Sequence, residues 1–312
     1  DEISSSISEF EKFITHRKIS VVDLPTAYWH EWVRNLRIVP QHLRTVIIGG
    51  EKVSAELCRV WLQKGGGTVR LFNTYGPTEC TVVATVHELT GAVTGEVPIG
   101  LPIAGTALYV ADSRQQLVPL NMPGELLIGG EGVARGYLNR FDLTREKFIR
   151  NPWGEGMLYR TGDLVCRQPD GRIGFVGRVD NQVKIRGFRI EPDGIAAVLE
   201  QHSDIAQAVV VARYDLSEQK ELAAYYIPEA GRSPAVSELR AFLSAELPEY
   251  MVPVAFMEMD EFPTAPGGKV DRKALPSPVK HTARARENYV APATMQQKAL
   301  AEIWSAVLGM DA

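Results

Sequence analysis

The chain has 312 residues, of which 45% are hydrophobic and 23% are charged, and its formal net charge is −4. This is the composition of an ordinary globular protein, long enough for about two domains. The charge balance gives no basic surface for nucleic acid or an anionic membrane, and no apolar run approaches the roughly 20 residues of a membrane span. The three cysteines are odd in number and widely spaced, which fits neither a disulfide framework nor a metal site. We therefore expect a reducing, cytoplasmic setting, with no nucleic-acid or membrane partner.

The first third of the chain predicts an α/β layer. Apolar runs at 19–25, 45–48 and 69–72 have the length and composition of buried strands. Residues 28–36 and the amphipathic segment 54–63 predict helices between these strands. The alternation of strand and helix indicates a sheet with at least some parallel pairs.

The middle of the chain, from Pro98 to about Asp180, changes to short alternating segments separated by Gly, Pro, Asn and Asp. The segments at 106–110, 124–128 and 172–176 predict strands. The turn residues between them favour tight connections, so this region is predicted to be antiparallel and rich in turns.

A third pattern follows Asp180 and predicts a compact α+β unit. Its predicted elements are helix 195–202, strands 207–213 and 221–227, a helix capped by Ser233 with Pro234 in its first turn, and strand 255–259. The helix after Ser233 has one apolar face, which consists of Val236, Leu239, Leu243 and Leu247.

The last part of the chain predicts a linker and one further helix. Residues 276–292 are Pro-rich, basic and aperiodic, which is typical of a linker. The helix begins at Thr294, which can form a capping box with Gln297. Its apolar face has no predicted partner within the chain and consists of Leu300, Ile303, Trp304, Val307 and Leu308.

Chemistry-bearing motifs are spread along the chain. A phosphate-binding GxxxxGK[ST] loop is absent from the sequence. Six longer strings stand out instead: Asn73-Thr-Tyr-Gly-Pro-Thr-Glu79, Gly124-Glu-Leu-Leu-Ile-Gly-Gly-Glu-Gly-Val-Ala-Arg-Gly-Tyr-Leu138, Tyr159-Arg-Thr-Gly-Asp-Leu164, Gly177-Arg-Val-Asp-Asn-Gln-Val-Lys-Ile-Arg-Gly-Phe-Arg-Ile190, Leu247-Pro-Glu-Tyr-Met-Val-Pro253 and Gly268-Lys-Val-Asp-Arg272. Taken singly, most of them could be ordinary turns or loops.

In this order and at these separations, the six strings resemble the later core motifs of the adenylate-forming enzymes, and most closely those of nonribosomal peptide synthetase adenylation domains. The resemblance covers essentially the whole chain from about residue 19. It implies the α/β and β-rich end of a large adenylation core, a small α+β subdomain and the first helix of a peptidyl carrier domain. The corresponding ranges are 1–179 for the core, 180–275 for the subdomain, 276–292 for the linker and 293–312 for the carrier helix.

The family reaction implied by this resemblance has two steps. ATP and an amino acid first give an aminoacyl adenylate and pyrophosphate, with Mg²⁺ as the metal. The acyl group then passes to a phosphopantetheine thiol on a carrier domain. Such chemistry requires a purine slot, a ribose clamp, neutralisation of charge on the α-phosphate and exclusion of water.

The resemblance also implies which residues bind the adenosine. Gly49 and Gly50 leave room beside a flat ring, and Tyr75 offers a face on which the adenine stacks. Asn73 pairs with the purine edge. Asp163 is expected to clamp the ribose, since one carboxylate can accept from two adjacent hydroxyl groups.

Four further residues are implied on the phosphate side of the nucleotide. Thr78 supplies a hydroxyl to the α-phosphate, and Glu79 is a hard carboxylate suited to Mg²⁺. Arg178 supports the ribose or a phosphate. Lys269 resembles the lysine that reaches the substrate carboxylate and the α-phosphate, where a cation offsets developing negative charge.

The resemblance implies a hinge at Asp180, about which the small subdomain rotates between the two half-reactions. In the second half-reaction Lys269 leaves, and the segment 184–189 faces the incoming pantetheine. By position, the residues that line the amino-acid pocket are Asp23, Ile47, Gly49, Thr74, Val82 and Val83.

Asp23 is the informative residue of this pocket. A carboxylate among apolar side chains is costly unless a substrate group satisfies it. This residue therefore predicts a cationic or hydrogen-bonding substrate side chain, with Lys, Orn or Arg as first choices.

The sequence departs from the family pattern in several places. Gly267 stands where an asparagine is usual, and 191–194 read Glu-Pro-Asp-Gly instead of the more usual Glu-Leu-Gly-Glu. The phosphate-gripping loop and the aspartate for the substrate amino group are expected before residue 1, in an N-terminal half missing from this chain. The carrier serine is expected beyond residue 312. By itself, therefore, the chain is expected to be incomplete as an enzyme.

Two other functions remain as alternatives. An acyl- or aryl-CoA ligase of the same superfamily would carry the same motifs, although it would need no tethered carrier helix. A degenerate, non-catalytic adenylation scaffold would keep the fold without the activity. The presence of Glu79, Asp163 and Lys269 argues against such a loss of catalytic residues.

Overall fold

The chain divides into two compact units, 1–192 and 193–312. The computed structural model describes residues 6–91, 95–185, 187–214, 220–265, 269–277 and 292–308. None of the helices in the described part of the chain is both long and apolar enough to cross a bilayer.

The first unit opens with a five-stranded sheet in which the strands follow chain order. Its strands are β1 Val21–Pro25, β2 Thr45–Gly49, β3 Arg70–Tyr75, β4 Thr85–Leu89 and β5 Leu101–Pro102. The pairs β1–β2 and β2–β3 are parallel, whereas β3–β4 and β4–β5 are antiparallel. Three helices accompany this sheet: α1 Ile7–His16, α2 Thr26–Asn35 and α3 Ala55–Gln63. The predicted α/β layer with parallel strands is thus confirmed.

Aromatic side chains form the core under this sheet. Trp29, Trp32 and Trp61 are fully buried, and the rings of Trp32 and Trp61 meet edge to face at 5.6 Å. Phe10, on helix α1, adds a second edge contact to Trp32 at 5.2 Å. Helix α1 was not predicted, because only Phe10 and Ile14 on its inner face are buried in an otherwise polar segment.

A second sheet in the first unit is antiparallel throughout. Its strands are β6 Thr106–Ala111, β7 Pro123–Gly130, β8 Phe148–Arg150, β9 Met157–Arg167 and β10 Ile173–Arg178, with helix α4 Phe141–Lys147 before β8. The order is β10–β9–β7–β6, and β8 pairs with β9. A short hairpin follows, formed by β11 Val183–Ile185 and β12 Phe188–Ile190. The predicted antiparallel, turn-rich region is confirmed.

The second unit is α+β, as predicted. Its elements are α5 Pro192–Leu199, which begins on the last residue of the first unit, β13 Ile205–Tyr214, β14 Lys220–Pro228, α6 Val236–Glu246, β15 Ala255–Glu258 and α7 Met295–Leu308. The sheet has the order β13–β14–β15, with an antiparallel and then a parallel pair.

The predicted start of helix α6 was wrong by two residues. The helix begins at Val236 with Ala235 as its N-cap, and Ser233 lies outside it. The reason is that Ala235 is still extended (φ −70°, ψ 141°), while the buried ring of Pro234 precedes the helix instead of occupying its first turn.

The capping box of helix α7 is confirmed. The Gln297 N–H donates to Thr294 Oγ1 at 3.2 Å, and the Thr294 N–H donates to Gln297 Oε1 at 3.0 Å. In the predicted apolar face of this helix, the described side chains Leu300, Ile303 and Trp304 are exposed. The side chains of Val307 and Leu308, Gly267, and the predicted linker between 278 and 291 lie outside the described residues.

The division between the units falls after Pro192, whereas the sequence placed a boundary at 179/180. The hairpin β11–β12 belongs to the first unit in this structure, which accounts for the difference. Asp180 as a hinge stays a prediction.

Candidate functional site

A cleft of about 490 Å³ opens at the carboxyl ends of the parallel strands β1, β2 and β3. This is the edge at which open α/β sheets usually bind ligands. Among the residues that line it are eleven of the predicted site residues: Asp23, Ile47, Gly49, Gly50, Thr74, Tyr75, Thr78, Val82, Val83, Asp163 and Arg178. The fold therefore brings together residues that are up to 155 positions apart in the chain.

Asp163 holds the centre of a hydrogen-bonded network in this cleft. The Tyr75 hydroxyl donates to Asp163 Oδ2 at 2.5 Å, and Arg178 Nη1 donates to Oδ1 at 2.5 Å. The backbone N–H of Asp163 donates to the Thr161 hydroxyl at 2.9 Å. Burial, and then the neighbouring Asp163 charge, raises the pKa of Tyr75 well above its ordinary value, so the phenol keeps its proton and remains a donor.

Arg178 joins this network to the predicted hinge. Strand pairing sets Arg178 of β10 opposite Asp163 of β9. The guanidinium also donates to both oxygens of Asp180, at 2.6 and 2.7 Å. Burial raises the pKa of Asp180, but the hydrogen bond and charge of Arg178 outweigh it, so the net shift is downward. Asp180 is therefore ionised at neutral pH, and one guanidinium bridges it to Asp163.

Gly162 makes the close packing of this network possible. Its φ is +72°, and a Cβ there would lie 2.8 Å from Arg178 Nη2 and 2.9 Å from Asp180 Oδ2. Its carbonyl oxygen also accepts from the Val179 N–H at 2.9 Å. Only glycine adopts this positive φ readily and, having no Cβ, leaves room for the Arg178 and Asp180 side chains.

Glu79 lies in a short 3₁₀ turn, Thr78–Cys80, directly after the cleft-lining Thr78. The residue is 8% exposed, and its carboxylate accepts from Arg189 Nη1 at 2.9 Å and 2.7 Å, one contact to each oxygen. The Tyr137 hydroxyl donates to Oε1 at 2.5 Å. Burial raises the pKa of Glu79, but the hydrogen bond from Tyr137 and the charge of Arg189 outweigh this effect. The net shift is downward, so the group is a carboxylate.

The hairpin β11–β12 forms part of the cleft wall. Lys184 Nζ lies 5.9 Å from the centre of the Tyr75 ring, which is within the range of a cation–π contact. The Gly187 N–H donates to Glu51 Oε1 at 2.7 Å. Burial lowers the pKa of Lys184. The sequence predicted that segment 184–189 faces the pantetheine arm of the carrier. It did not indicate that Gly187 contacts Glu51 or that Arg189 contacts Glu79.

The predicted amino-acid pocket has one wall of small and one of strained residues. A Cβ on Gly49 would lie 2.5 Å from Thr74 Oγ1, so only glycine allows Thr74 to pack this closely against strand β2. On the other wall, the cleft-lining Val82 and its neighbour Thr81, which does not line the cleft, have φ of 68° and 57°, a left-handed conformation that is a genuine outlier for a β-branched side chain. Val82 is 73% exposed. Both Val82 and Asp23 line the cleft.

Four predicted site residues do not line the cleft: Glu79 and Asp180, described above, and Asn73 and Lys269. Asn73 is buried, and its side-chain NH₂ donates to the Pro98 carbonyl oxygen at 2.8 Å. That hydrogen bond is structural and weighs against a purine contact by the same NH₂ group. Lys269 lies in the second unit, where its side chain is exposed and its carbonyl oxygen accepts from the Ala265 N–H at 2.8 Å. Its catalytic role stays a prediction.

The predicted magnesium site does not fit the present arrangement of Glu79. A single carboxylate is chemically suitable, because Mg²⁺ takes one or two protein carboxylates and completes its shell with phosphate and water. Both oxygens of Glu79 are nevertheless engaged by Arg189. Within the described ranges, no group of three or more His, Cys, Asp or Glu side chains could hold a metal ion instead.

Comparison with known proteins places the chain in a family. Residues 4–138 match the AMP-binding enzymes, and residues 194–269 match the C-terminal domain of AMP-binding enzymes. Gramicidin S synthase 2 from Aneurinibacillus migulanus is 40% identical over 304 residues, which are 97% of this chain and 7% of that protein. Tyrocidine synthase 1 from Brevibacillus parabrevis is 41% identical over 97% of this chain and 27% of its own length. The chain thus spans only a small part of these relatives.

Solved structures agree with this placement. The structure of holo-PA1221, an NRPS protein that contains adenylation and PCP domains, is 27% identical and aligns with a TM-score of 0.78 over 98% of this chain and 51% of that one. The four-domain nonribosomal peptide synthetase AB3403 is 38% identical, with a TM-score of 0.54 over 93% of this chain and 21% of that one. On these matches, the chain belongs to the AMP-binding enzymes, and the relatives named here are nonribosomal peptide synthetases.

Proposed function

We propose that this chain supplies the nucleotide and amino-acid contacts of an adenylation domain that activates an amino acid with ATP and loads it onto a carrier domain. The observation that carries this proposal is the convergence on one cleft of residues from separate motifs, including Tyr75, Thr78, Asp163 and Arg178. The solved AB3403 structure, a homologue, is bound to AMP and glycine. The same ligand classes suit this cleft.

Asp163 is proposed to bind the ribose. A carboxylate has about four lone-pair sites, and the hydrogen bonds from Tyr75 and Arg178 use one on each oxygen. The remaining sites can accept from two ribose hydroxyl groups. Because Tyr75 and Arg178 already fix the carboxylate, little conformational entropy is lost when the nucleotide binds.

The proposed adenylation step is a displacement at the α-phosphorus. A carboxylate oxygen of the amino acid forms a bond to that phosphorus, and the bond to pyrophosphate breaks. The Thr78 hydroxyl lies in the cleft wall and would hydrogen-bond to the α-phosphate. Lys269 would offset the negative charge on the carboxylate and phosphate oxygens during this step. In the second step the carrier thiolate attacks the acyl carbon and AMP leaves.

The amino-acid substrate is proposed to have a basic side chain. Asp23 is the middle residue of strand β1 and pairs in register with Ile47; it shares the cleft lining with the apolar residues Val82 and Val83. A carboxylate in such a wall favours a cation, because a charge-assisted hydrogen bond satisfies it. We therefore propose Lys, Orn or Arg.

The carrier domain is proposed to begin with helix α7. Its capping box and the exposed side chains of Leu300, Ile303 and Trp304 support this assignment, since an apolar helix face normally packs against further helices. Phosphopantetheine on that carrier would be the acyl acceptor.

The test is amino-acid-dependent exchange of labelled pyrophosphate into ATP, measured on the full-length protein that contains this chain. We expect exchange with one amino acid, and its loss in the Lys269→Ala variant. Lys273→Ala is the matched control, because Lys273 is exposed four residues further on. Exchange with carboxylic acids only would indicate an acyl- or aryl-CoA ligase. Absence of exchange with every amino acid and carboxylic acid would indicate a non-catalytic scaffold.

A further inference from the structure

Glu125 belongs to the string Gly124–Leu138, to which the proposed function gives no role. It lies on strand β7, which pairs with the strand that carries the proposed ribose-binding residue Asp163. Its side chain is 13% exposed and pairs with Arg160, whose Nη2 donates to Oε2 at 2.7 Å. The other oxygen, Oε1, accepts from the backbone N–H of Gly162 at 3.2 Å. One carboxylate therefore contacts the backbone directly before Asp163.

The register of strands β7 and β9 explains why a side chain is needed at this point. The register shifts after Glu125, so that segment 161–163 of β9 faces the single residue Leu126. Such a bulge interrupts the ladder of backbone hydrogen bonds and re-aims side chains. Asp163, which lines the cleft, is the last residue of this bulge. The buried N–H groups of the bulge therefore need partners outside the regular ladder.

Side chains provide these partners. The Asp163 N–H donates to the Thr161 hydroxyl at 2.9 Å, and that hydroxyl donates to the Leu126 carbonyl oxygen at 2.8 Å. Gly162 is buried, and its N–H donates to Glu125. Without this acceptor, a buried N–H would lose its hydrogen bond, which is costly enough to shift the backbone.

Gly162 gives the bulge little stiffness of its own. Glycine restricts the backbone less than any other residue, and its φ of +72° lies in the left-handed region. Both of its backbone polar groups are fixed from outside: the N–H by Glu125, and the carbonyl oxygen by the Val179 N–H at 2.9 Å. The direction of the next side chain, that of Asp163, therefore depends on Glu125.

We propose that Glu125 is a positioning residue for nucleotide binding: through the Gly162 N–H, it holds the bulge from which Asp163 meets the ribose hydroxyl groups. The inference rests on the proposed function, in which Asp163 binds the ribose. Glu125 does not line the cleft, so it acts through the backbone. A carboxylate that is already fixed loses less freedom on binding, so Glu125 strengthens the hydroxyl contacts more than the rest of the nucleotide site.

The test compares ATP with 2′-deoxy-ATP and 3′-deoxy-ATP by calorimetric titration of the full-length protein, without an amino acid, so that no adenylate forms. In the wild type, each deoxy nucleotide is expected to bind about tenfold more weakly than ATP, because one hydrogen bond to a carboxylate is lost. In Glu125→Leu, we expect ATP to bind about tenfold and the deoxy nucleotides about threefold more weakly than in the wild type. The ratio of the deoxy-nucleotide Kd to the ATP Kd then falls from about ten to about three.

Two further variants separate the hydrogen bond from general effects. Glu125→Gln keeps an oxygen for the Gly162 N–H, and the side chain of Arg160 is 36% exposed and can turn to water. The Kd ratio of this variant is therefore expected to stay near the wild-type value. Glu88→Leu is the matched control, since Glu88 lies on strand β4 and pairs with Arg70 instead. Its ratio is expected to equal that of the wild type.

A chemical denaturation curve establishes that each variant is folded. If Glu125→Leu does not fold, Arg160→Met takes its place, because this change removes the ion pair that holds the Glu125 side chain. The ratio is then expected to fall about twofold, since a partly exposed ion pair contributes little.

Equal weakening of all three nucleotides by Glu125→Leu, or by Arg160→Met in its place, shows a purely structural role and overturns the inference. A wild type that binds ATP and the deoxy nucleotides equally also overturns it. Pyrophosphate exchange on the same preparations separates these failures from failure of the proposed function. A protein that exchanges pyrophosphate but keeps its ratio in the variant is an adenylation enzyme without this positioning residue. A protein whose ratio falls as expected but which shows no exchange retains the positioning role and lacks the proposed activity.

Discussion

Arg178 and Asp163 face each other across the β9–β10 pair, and the guanidinium that binds this proposed ribose clamp at 2.5 Å also binds both oxygens of Asp180. One arginine thus fixes a cleft carboxylate and a carboxylate at the predicted hinge. Its planar fork suits this task, because it presents several donors in fixed directions. A change at Arg178 should therefore affect both places together.

Arg178→Lys should lower the free energy of unfolding of the first unit by about 1–3 kcal/mol, because a lysine cannot replace three charge-assisted hydrogen bonds at two carboxylates. The measurement is chemical denaturation followed by tryptophan fluorescence. Arg172→Lys is the control, since Arg172 pairs with Asp170 at the surface, where ion pairs contribute about 0–1 kcal/mol. Equal effects of the two variants would show that the Arg178 network adds nothing beyond a surface pair.

Gly162→Ala should destabilise the first unit more than Gly156→Ala. Both glycines have positive φ, +72° and +82°, so both variants incur the backbone cost of about 1–2 kcal/mol. Only at Gly162 would the new Cβ also meet Arg178 and Asp180 at 2.8–2.9 Å, whereas nothing lies within 4 Å at Gly156. The difference between the two unfolding free energies isolates the contact. No difference would mean that the Arg178 and Asp180 side chains move aside freely.

Asp23→Leu should change the preference between basic and aliphatic amino acids. Loss of a charge-assisted hydrogen bond is expected to lower kcat/KM for the basic substrate roughly 10- to 100-fold, which corresponds to about 1.5–3 kcal/mol. Relative kcat/KM values for Lys, Orn, Arg, Leu and Val give the readout, with the aliphatic substrates as internal controls. An unchanged ratio would rule out the basic-substrate proposal and leave adenylation itself intact.

His30 should make the first unit sensitive to mild acid. Burial, and then the charge of Arg34, lowers the pKa of His30 from 6.5 to about 4, and its Nε2 accepts from the Ser54 N–H at 3.0 Å. Between pH 6.5 and about 4 the unfolded chain takes up a proton that the folded chain does not. Stability is therefore full above pH 6.5 and falls as the pH drops toward 4, by at most about 1.4 kcal/mol per pH unit.

Denaturation midpoints at pH 7, 6, 5 and 4 test this expectation. His30→Gln keeps a hydrogen-bond acceptor but cannot titrate, so its stability should fall less steeply over the same interval. Parallel pH profiles for the wild type and the variant would assign the acid sensitivity to other groups.

Local patterns in the sequence were sufficient to predict much of the fold. The strands β1, β2 and β3 were predicted because short segments rich in Val, Ile and Leu and bounded by Gly or Pro are typical of buried strands. The capping box of Thr294 and Gln297 was predicted because both partners lie within one helical turn. Asp163 and Tyr75 were identified from motif strings, and the cleft contains both.

Other features depended on which segments come together, and no local pattern encodes that. Glu79 and Arg189 are 110 residues apart, and their pairing arises from the packing of a hairpin against a distant turn. Asn73 bonds to the Pro98 carbonyl because β3 and the segment before β5 lie side by side, so an amide expected to bind a purine is used inside the fold. Helix α1 depends on two apolar side chains that find a tryptophan core, and its polar sequence gives little sign of this. Residue types and short-range spacing therefore determine the elements and the candidate chemistry. Tertiary packing decides the partner of each buried polar group, because a donor and an acceptor pair only when the chain brings them within about 3 Å.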